Sequence, residues 1–224
     1  MPEYLDVESW HRRDLYNFFR NYQNPYFNVC TRIDITKLAA AVRARQDAGL
    51  SLAYHYFALR AANETEPFHY RLEDDRIVIY EVINGGTTVL LPNETFTYAY
   101  FNYYPEFDRF MSEASAATEQ VRAAGSLKPT MRYDLIFFTT LPWIAFTSFA
   151  HARTPGRGES VPRIAFGKFV KEGEHTLLPI SVEVHHALMD GLHVGRFMMR
   201  LEEMLANPEA WMSVSTRSDS DGIK

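Results

Sequence analysis

The sequence predicts a mixed α/β domain with a mixed, largely antiparallel sheet and helices packed on it. Three observations predict this class. Segments of helical period and runs of strand-like residues are interspersed along the chain rather than separated into blocks. Short apolar runs come in pairs split by turn residues, as hairpins do: Asp74-Asp75 between HYRL and RIVIYEV, and Asn84-Gly85-Gly86 between that run and TTVLL. A chain of 224 residues, 46% of them hydrophobic, is also long and apolar enough to bury a sizeable core.

The elements follow in order. Asp6 can cap a first helix running to about Tyr22, with Trp10, Leu15, Phe18, Phe19 and Tyr22 as its apolar positions. Asp34 or Thr36 starts a second helix over TKLAAAVRARQ, a stretch of strong helix formers. A third is expected near Leu52–Asn63. After the two hairpins, Glu106–Ala123 reads as a helix ended by Gly125. DLIFFTT, WIAFTSF and RIAFGKFV read as strands, and KEGEH as a turn into LLPISVEVHH. A last helix spans about Gly191–Ala206. No internal repeat or long linker interrupts residues 1–212, which read as one domain; the Ser/Asp-rich 213–224 reads as a disordered tail.

Composition excludes some partners. The net charge is -5 with no basic stripe, which argues against nucleic acid. Nothing resembles a signal peptide or a bilayer-spanning run, so no membrane partner is expected. Cys30 is the only cysteine, so no disulfide can form within the chain, and a cytoplasmic setting is expected. Aromatics reach 14%, enough for a crowded core or a pocket for an apolar ligand.

The chemistry concentrates in S-V-E-V-H-H-A-L-M-D-G-L-H, residues 181–193, where a strand gives way to a helix. Successive strand side chains point to opposite faces, so one of His185 and His186 can face the core or a neighbour while the other faces a cleft. A neutral imidazole there is suited to take a proton as general base. The plain alternative is a pair of strand-end histidines followed by a capping Asp190. Zinc held by His185, His186, Asp190 and His193 is a third reading. The divergence of adjacent strand side chains argues against it, and no metal is expected.

The run H-H-A-L-M-D-G-L-H-V-G-R-F resembles the signature of the chloramphenicol acetyltransferases. Further segments carry the same resemblance: Trp10-His11-Arg12-Arg13, Ile33-Asp34-Ile35-Thr36, Glu94-Thr95-Phe96, Pro142-Trp143-Ile144 through Phe149, and Gly167-Lys168-Phe169 leading to LLPISVEVHH. Their order and spacing agree from about residue 5 to residue 206.

The resemblance implies a two-layer sandwich like that of the coenzyme A-dependent acyltransferases. It implies O-acetyl transfer, with acetyl-CoA as co-substrate, to chloramphenicol or a similar small alcohol. By the same resemblance His186 is the general base, Ser148 stabilises the oxyanion, and Asp190 with Arg12 forms a structural ion pair. Phe19, Phe27, Phe96, Tyr98 and Phe149 fall at acceptor-binding positions, and Lys168 and Phe169 at coenzyme A contacts. A homotrimer with active sites between subunits is implied too. The chain departs from the pattern at Ala165, where a threonine is usual, and at Phe169, where a tyrosine is usual. Gly49-Leu50-Ser51-Leu52 stands where an F-Y-P segment is usual, and Tyr98 and Asn102-Tyr103-Tyr104 make the acceptor side unusually aromatic.

Overall fold

The computed structural model describes residues 3–45, 49–127, 129–130, 132–153 and 159–213; most of the predicted tail lies outside them. In chain order the elements are β1 (Glu3–Tyr4), α1 (Arg13–Phe19), β2 (Tyr26–Asp34), α2 (Thr36–Ala44) and α3 (Leu50–Asn63). A short 3-10 turn, Glu66–His69, leads to β3 (Tyr70–Glu73), β4 (Arg76–Ile79), β5 (Asn84–Leu90), β6 (Phe96–Phe101) and α4 (Phe107–Ala124). Then come β7 (Leu135–Thr140), β8 (Arg163–Phe166), β9 (Val170–Glu172), β10 (His175–His185), α5 (Gly191–Ala206) and α6 (Pro208–Met212).

The large sheet runs β2-β10-β8-β7-β5-β6, with β9 paired to β10; β5-β7 and β7-β8 are parallel and the other pairs antiparallel. A small sheet, β1-β4-β3, stands beside it. The predicted mixed, largely antiparallel class is therefore the observed one. One face of the large sheet gives Ile180, Val182, Val184, Ile164, Phe166, Ile136 and Phe138 to the main core. Helix α3 is packed into that core along most of its length, and α4 and α5 add Phe110, Phe197 and Leu201. A second core joins Trp10 and Tyr16 to Tyr70 and Ile77 of the small sheet and to Ala187 and Leu188. Among the described residues no helix is long and apolar enough to cross a membrane.

Helices α2 to α5 fall where the sequence puts them, with Gly125 at φ 63° closing α4. The β3-β4 hairpin forms too, with Asp74 and Asp75 both at positive φ, as a tight two-residue turn requires. Three expectations need correction. The first helix covers only Arg13–Phe19. The Asp6 carboxylate binds Glu8 N and the Ser9 hydroxyl in a local turn, and short-range bonds carry the chain through Trp10. Trp10 is buried, but Leu15, Phe18 and Tyr22 are exposed. The Asn84-Gly85-Gly86 turn does not exist, because those residues begin β5. A Cβ on Gly85 would sit 2.2 Å from the Phe101 ring, so the glycine admits an aromatic rather than a turn. WIAFTSF is not a strand. The β7 ladder ends with Leu141 N bonded to Phe166 O, and Pro142, lacking an N–H, turns the chain out of the sheet.

Candidate active site

Strand β10 presents Ser181, Glu183 and His185 on the face away from the helices, and Val182 and Val184 to the core. His185 is buried, 5.3 Å from the Tyr26 ring, and accepts a hydrogen bond from Ala187 N at 3.2 Å on Nδ1. Burial, with the nearby charges of Arg153 and His186, pushes its pKa down to about 4, so it is a neutral structural ring.

His186 differs. Its backbone N–H donates to Pro25 O at 2.7 Å, which fixes the end of the strand against β2. Its half-buried imidazole stacks on Phe19 at 3.9 Å, nearly parallel, and meets Phe27 at 4.7 Å. Nδ1 is buried with no hydrogen-bond partner in the chain. The two rings therefore differ in setting: His185 is buried beside Tyr26 on the face away from the helices, and His186 stacks between Phe19 and Phe27.

Behind His186, Asp190 caps α5. Its carboxylate accepts from Leu192 N at 3.0 Å, and the His193 ring accepts from Asp190 N at 3.1 Å, completing a capping box. Arg12 is buried and ion-paired to the same carboxylate. Burial pushes the Asp190 pKa up, but the Arg12 hydrogen bond and charge outweigh it and hold the carboxyl below its usual range. The pair therefore ties the segment before α1 to the turn that follows His186.

The other expected residues lie elsewhere. Ser148 is exposed in the irregular segment after Pro142. The next residue, Phe149, accepts a 3.0 Å bond from Asn28, whose side chain also meets Ser181 on the face away from the helices. Phe96 and Tyr98 lie 5.6 Å apart on β6, with Tyr98 6.5 Å from Phe137. Five strand steps separate β6 from β2, which at about 4.8 Å per step puts them roughly 24 Å from Phe27. Phe169 is exposed, and the neighbouring Lys168 N–H holds Ile144 O at 2.8 Å. Thus one chain brings together His186, Phe19 and Phe27, with Arg12 and Asp190 behind them. It leaves Ser148, Phe96, Tyr98, Phe149, Lys168 and Phe169 on other surfaces.

Residues 3–202 match the family model described as chloramphenicol acetyltransferase. The chain is 30% identical to chloramphenicol acetyltransferase 2 of Escherichia coli, over 91% of this chain and 96% of that one. It is 25% identical to the chloramphenicol acetyltransferase of Proteus mirabilis, over 89% and 92%. A solved chloramphenicol acetyltransferase superposes with a TM-score of 0.77 at 29% identity, covering 92% of this chain and all of that one. The cubic core of a pyruvate dehydrogenase multienzyme complex, at 19% identity and a TM-score of 0.64, covers 89% of this chain and 88% of that one and shares the fold.

Proposed function

The chain belongs to the chloramphenicol acetyltransferase family, and on that premise we propose that it moves an acetyl group from acetyl-CoA directly to a hydroxyl of chloramphenicol or a similar small alcohol. The observation that carries this reading is the His186 ring. It is held by its backbone bond to Pro25, stacked on Phe19, and backed by the Arg12–Asp190 pair. With Nδ1 sealed, Nε2 is the nitrogen left to meet a hydroxyl. It takes the hydroxyl proton as the oxygen attacks the thioester carbon. The tetrahedral oxyanion is stabilised by the Ser148 hydroxyl, a donor of the kind worth about 3–4 kcal/mol. The carbon–sulfur bond then breaks, and the leaving thiolate recovers the proton from the imidazolium. Cys30, the only cysteine, bonds its Sγ to Asn28 and stands apart from this ring, which fits direct transfer without an acyl-enzyme.

The site is completed between copies of the chain, in a homotrimer. Support comes from the separation of the parts: His186 and Phe27 stand at the β2 edge, and Phe96 and Tyr98 at the opposite edge of the same sheet. Ser148, exposed on the face away from the helices, is then offered to a neighbour's histidine. A cytoplasmic setting is consistent with the single free cysteine.

The row of Phe96, Tyr98 and Tyr100 favours a second reading of the acceptor, as an alcohol other than chloramphenicol. One assay separates the two. Purified chain, acetyl-CoA and chloramphenicol should release free thiol in step with acetylated product. Turnover with other small alcohols but not with chloramphenicol selects the second reading. Bound acetyl-CoA with no thiol release from any alcohol would make the chain a non-catalytic homologue and end the proposal.

A further inference from the structure

Residues 142–153, which carry Ser148, form neither helix nor strand, so no backbone ladder of their own fixes their path. A row of three side chains on the large sheet does. Asn28, Glu183 and Arg163 stand in register across the adjacent strands β2, β10 and β8. Residues paired in this way share one face of a sheet, here the face away from the helices. Each member of the row grips the segment just beyond Ser148. Asn28 donates to Phe149 O at 3.0 Å, and also to the Ser181 hydroxyl at 2.8 Å, which holds its amide. The Glu183 carboxylate accepts from His151 N at 3.4 Å and from Arg153 Nε at 2.6 Å. The Arg163 guanidinium donates to Ala152 O. Phe149, His151, Ala152 and Arg153 are thus all tied to one line of the sheet.

Glu183 is the centre of this line. It is buried; burial pushes its pKa up, but His151 and Arg153 outweigh that and hold the carboxyl at about 2. The grip is therefore that of an ionised carboxylate, whose bonds to N–H groups are about twice as strong as neutral ones. Its place in the chain adds a consequence. Glu183 lies on β10, three residues before His186. The strand that leads into the proposed base therefore also fixes the segment that carries the proposed oxyanion donor. Such a donor works by being held in place before charge develops, and a displacement of about 1 Å can cost on the order of 100-fold in rate.

We infer that Glu183, flanked by Asn28 and Arg163, is a positioning residue for Ser148: it clamps residues 149–153 to the sheet and so keeps the Ser148 hydroxyl where the oxyanion forms. The inference rests on the acyl-transfer reading above, in which Ser148 is that donor.

The test is a double-mutant cycle read in turnover. The variant Glu183→Ala/Arg153→Met removes both charges together, so that no cation is left buried alone. It should lower kcat for thiol release by about tenfold or more and leave each KM within about twofold. Glu183→Gln, which keeps an oxygen for Arg153, should recover most of the rate. Placed on Ser148→Ala, the paired change should cost little more, because both remove the same donor. An equal cost in the two backgrounds overturns the inference. Hydrogen exchange keeps the two readings apart. Amides of residues 149–153 should exchange about tenfold faster or more in the paired variant, while those of β10 and α3 keep their wild-type rates. If no chain releases thiol, wild type included, the acyl-transfer reading fails. The clamp still stands if the faster exchange is confined to residues 149–153, and it falls if their exchange is unchanged.

Discussion

Replacing His186 with alanine should lower kcat/KM for acetyl transfer by about 10²–10⁴-fold, or roughly 3–5 kcal/mol of transition-state stabilisation, the range a positioned general base supplies. The adjacent histidine does not stand ready to substitute. His185 lies on the other face of the strand, buried, with Nδ1 taken by Ala187 N–H and its pKa pushed down by burial to about 4. The loss should appear in kcat more than in the KM for either substrate, because the ring acts on the proton in flight rather than on bound ground states. Folding should be nearly intact: the ring packs against Phe19 and Phe27 at the edge of the site, not in the main core. Near-wild-type turnover by a well-folded His186→Ala protein would remove the proposed mechanism.

Arg71→Leu should cost about 3–6 kcal/mol of stability, a large share of the roughly 5–15 kcal/mol typical of a domain. Arg71 is fully buried and forms no ion pair with a carboxylate among the described residues. Burial pushes its pKa down, to about 9, so it remains a cation at neutral pH. Its guanidinium donates to four backbone carbonyls, those of Phe68, Tyr70, Tyr133 and Leu135, at 2.7–2.8 Å. Leucine would leave these acceptors facing a dry interior at about 1–2 kcal/mol each, partly offset by no longer burying a charge. Because Tyr133 precedes β7 and Leu135 begins it, this fork clamps the small sheet to the large one. The small sheet in turn packs on Ala187 and Leu188, immediately after His186. Chemical denaturation should show the loss, with Arg71→Lys, which keeps the charge but not the fork, in between. Wild-type stability in Arg71→Leu would mean that the carbonyls find other partners.

How much of this was legible in the sequence depends on whether a signal was local. Helices α2 to α5 announced themselves through helix formers, Gly125 and the Asp190-Gly191 junction, all short-range features. That the rings of His185 and His186 point to different sides of the chain followed from the two-residue period of a strand. The misread places were set by distant partners. At Asn84-Gly85-Gly86 the local turn chemistry was outweighed by the Phe101 and Tyr100 rings that Gly85 and Gly86 admit. Trp10 left the helical pattern to fill a second core that joins it to Tyr70, Ile77, Ala187 and Leu188, sixty and more positions away. Within the site, Arg12 and Asp190 were expected to pair only because a family pattern joined them; nothing local connects positions 178 apart. Arg71 gave no signal, since a lone arginine in a strand is commonplace on solvated surfaces.

The claim that the reaction runs between subunits, with His186 from one and Ser148 from the next, can be tested by complementation. His186→Ala and Ser148→Ala chains are each purified, mixed, unfolded and reassembled together, and thiol release from acetyl-CoA is measured with the acceptor. The account predicts two weak parents and a mixed assembly with far higher activity, because about one site in four regains both groups. A mixture no more active than the mean of its parents, with assembly verified, would contradict it.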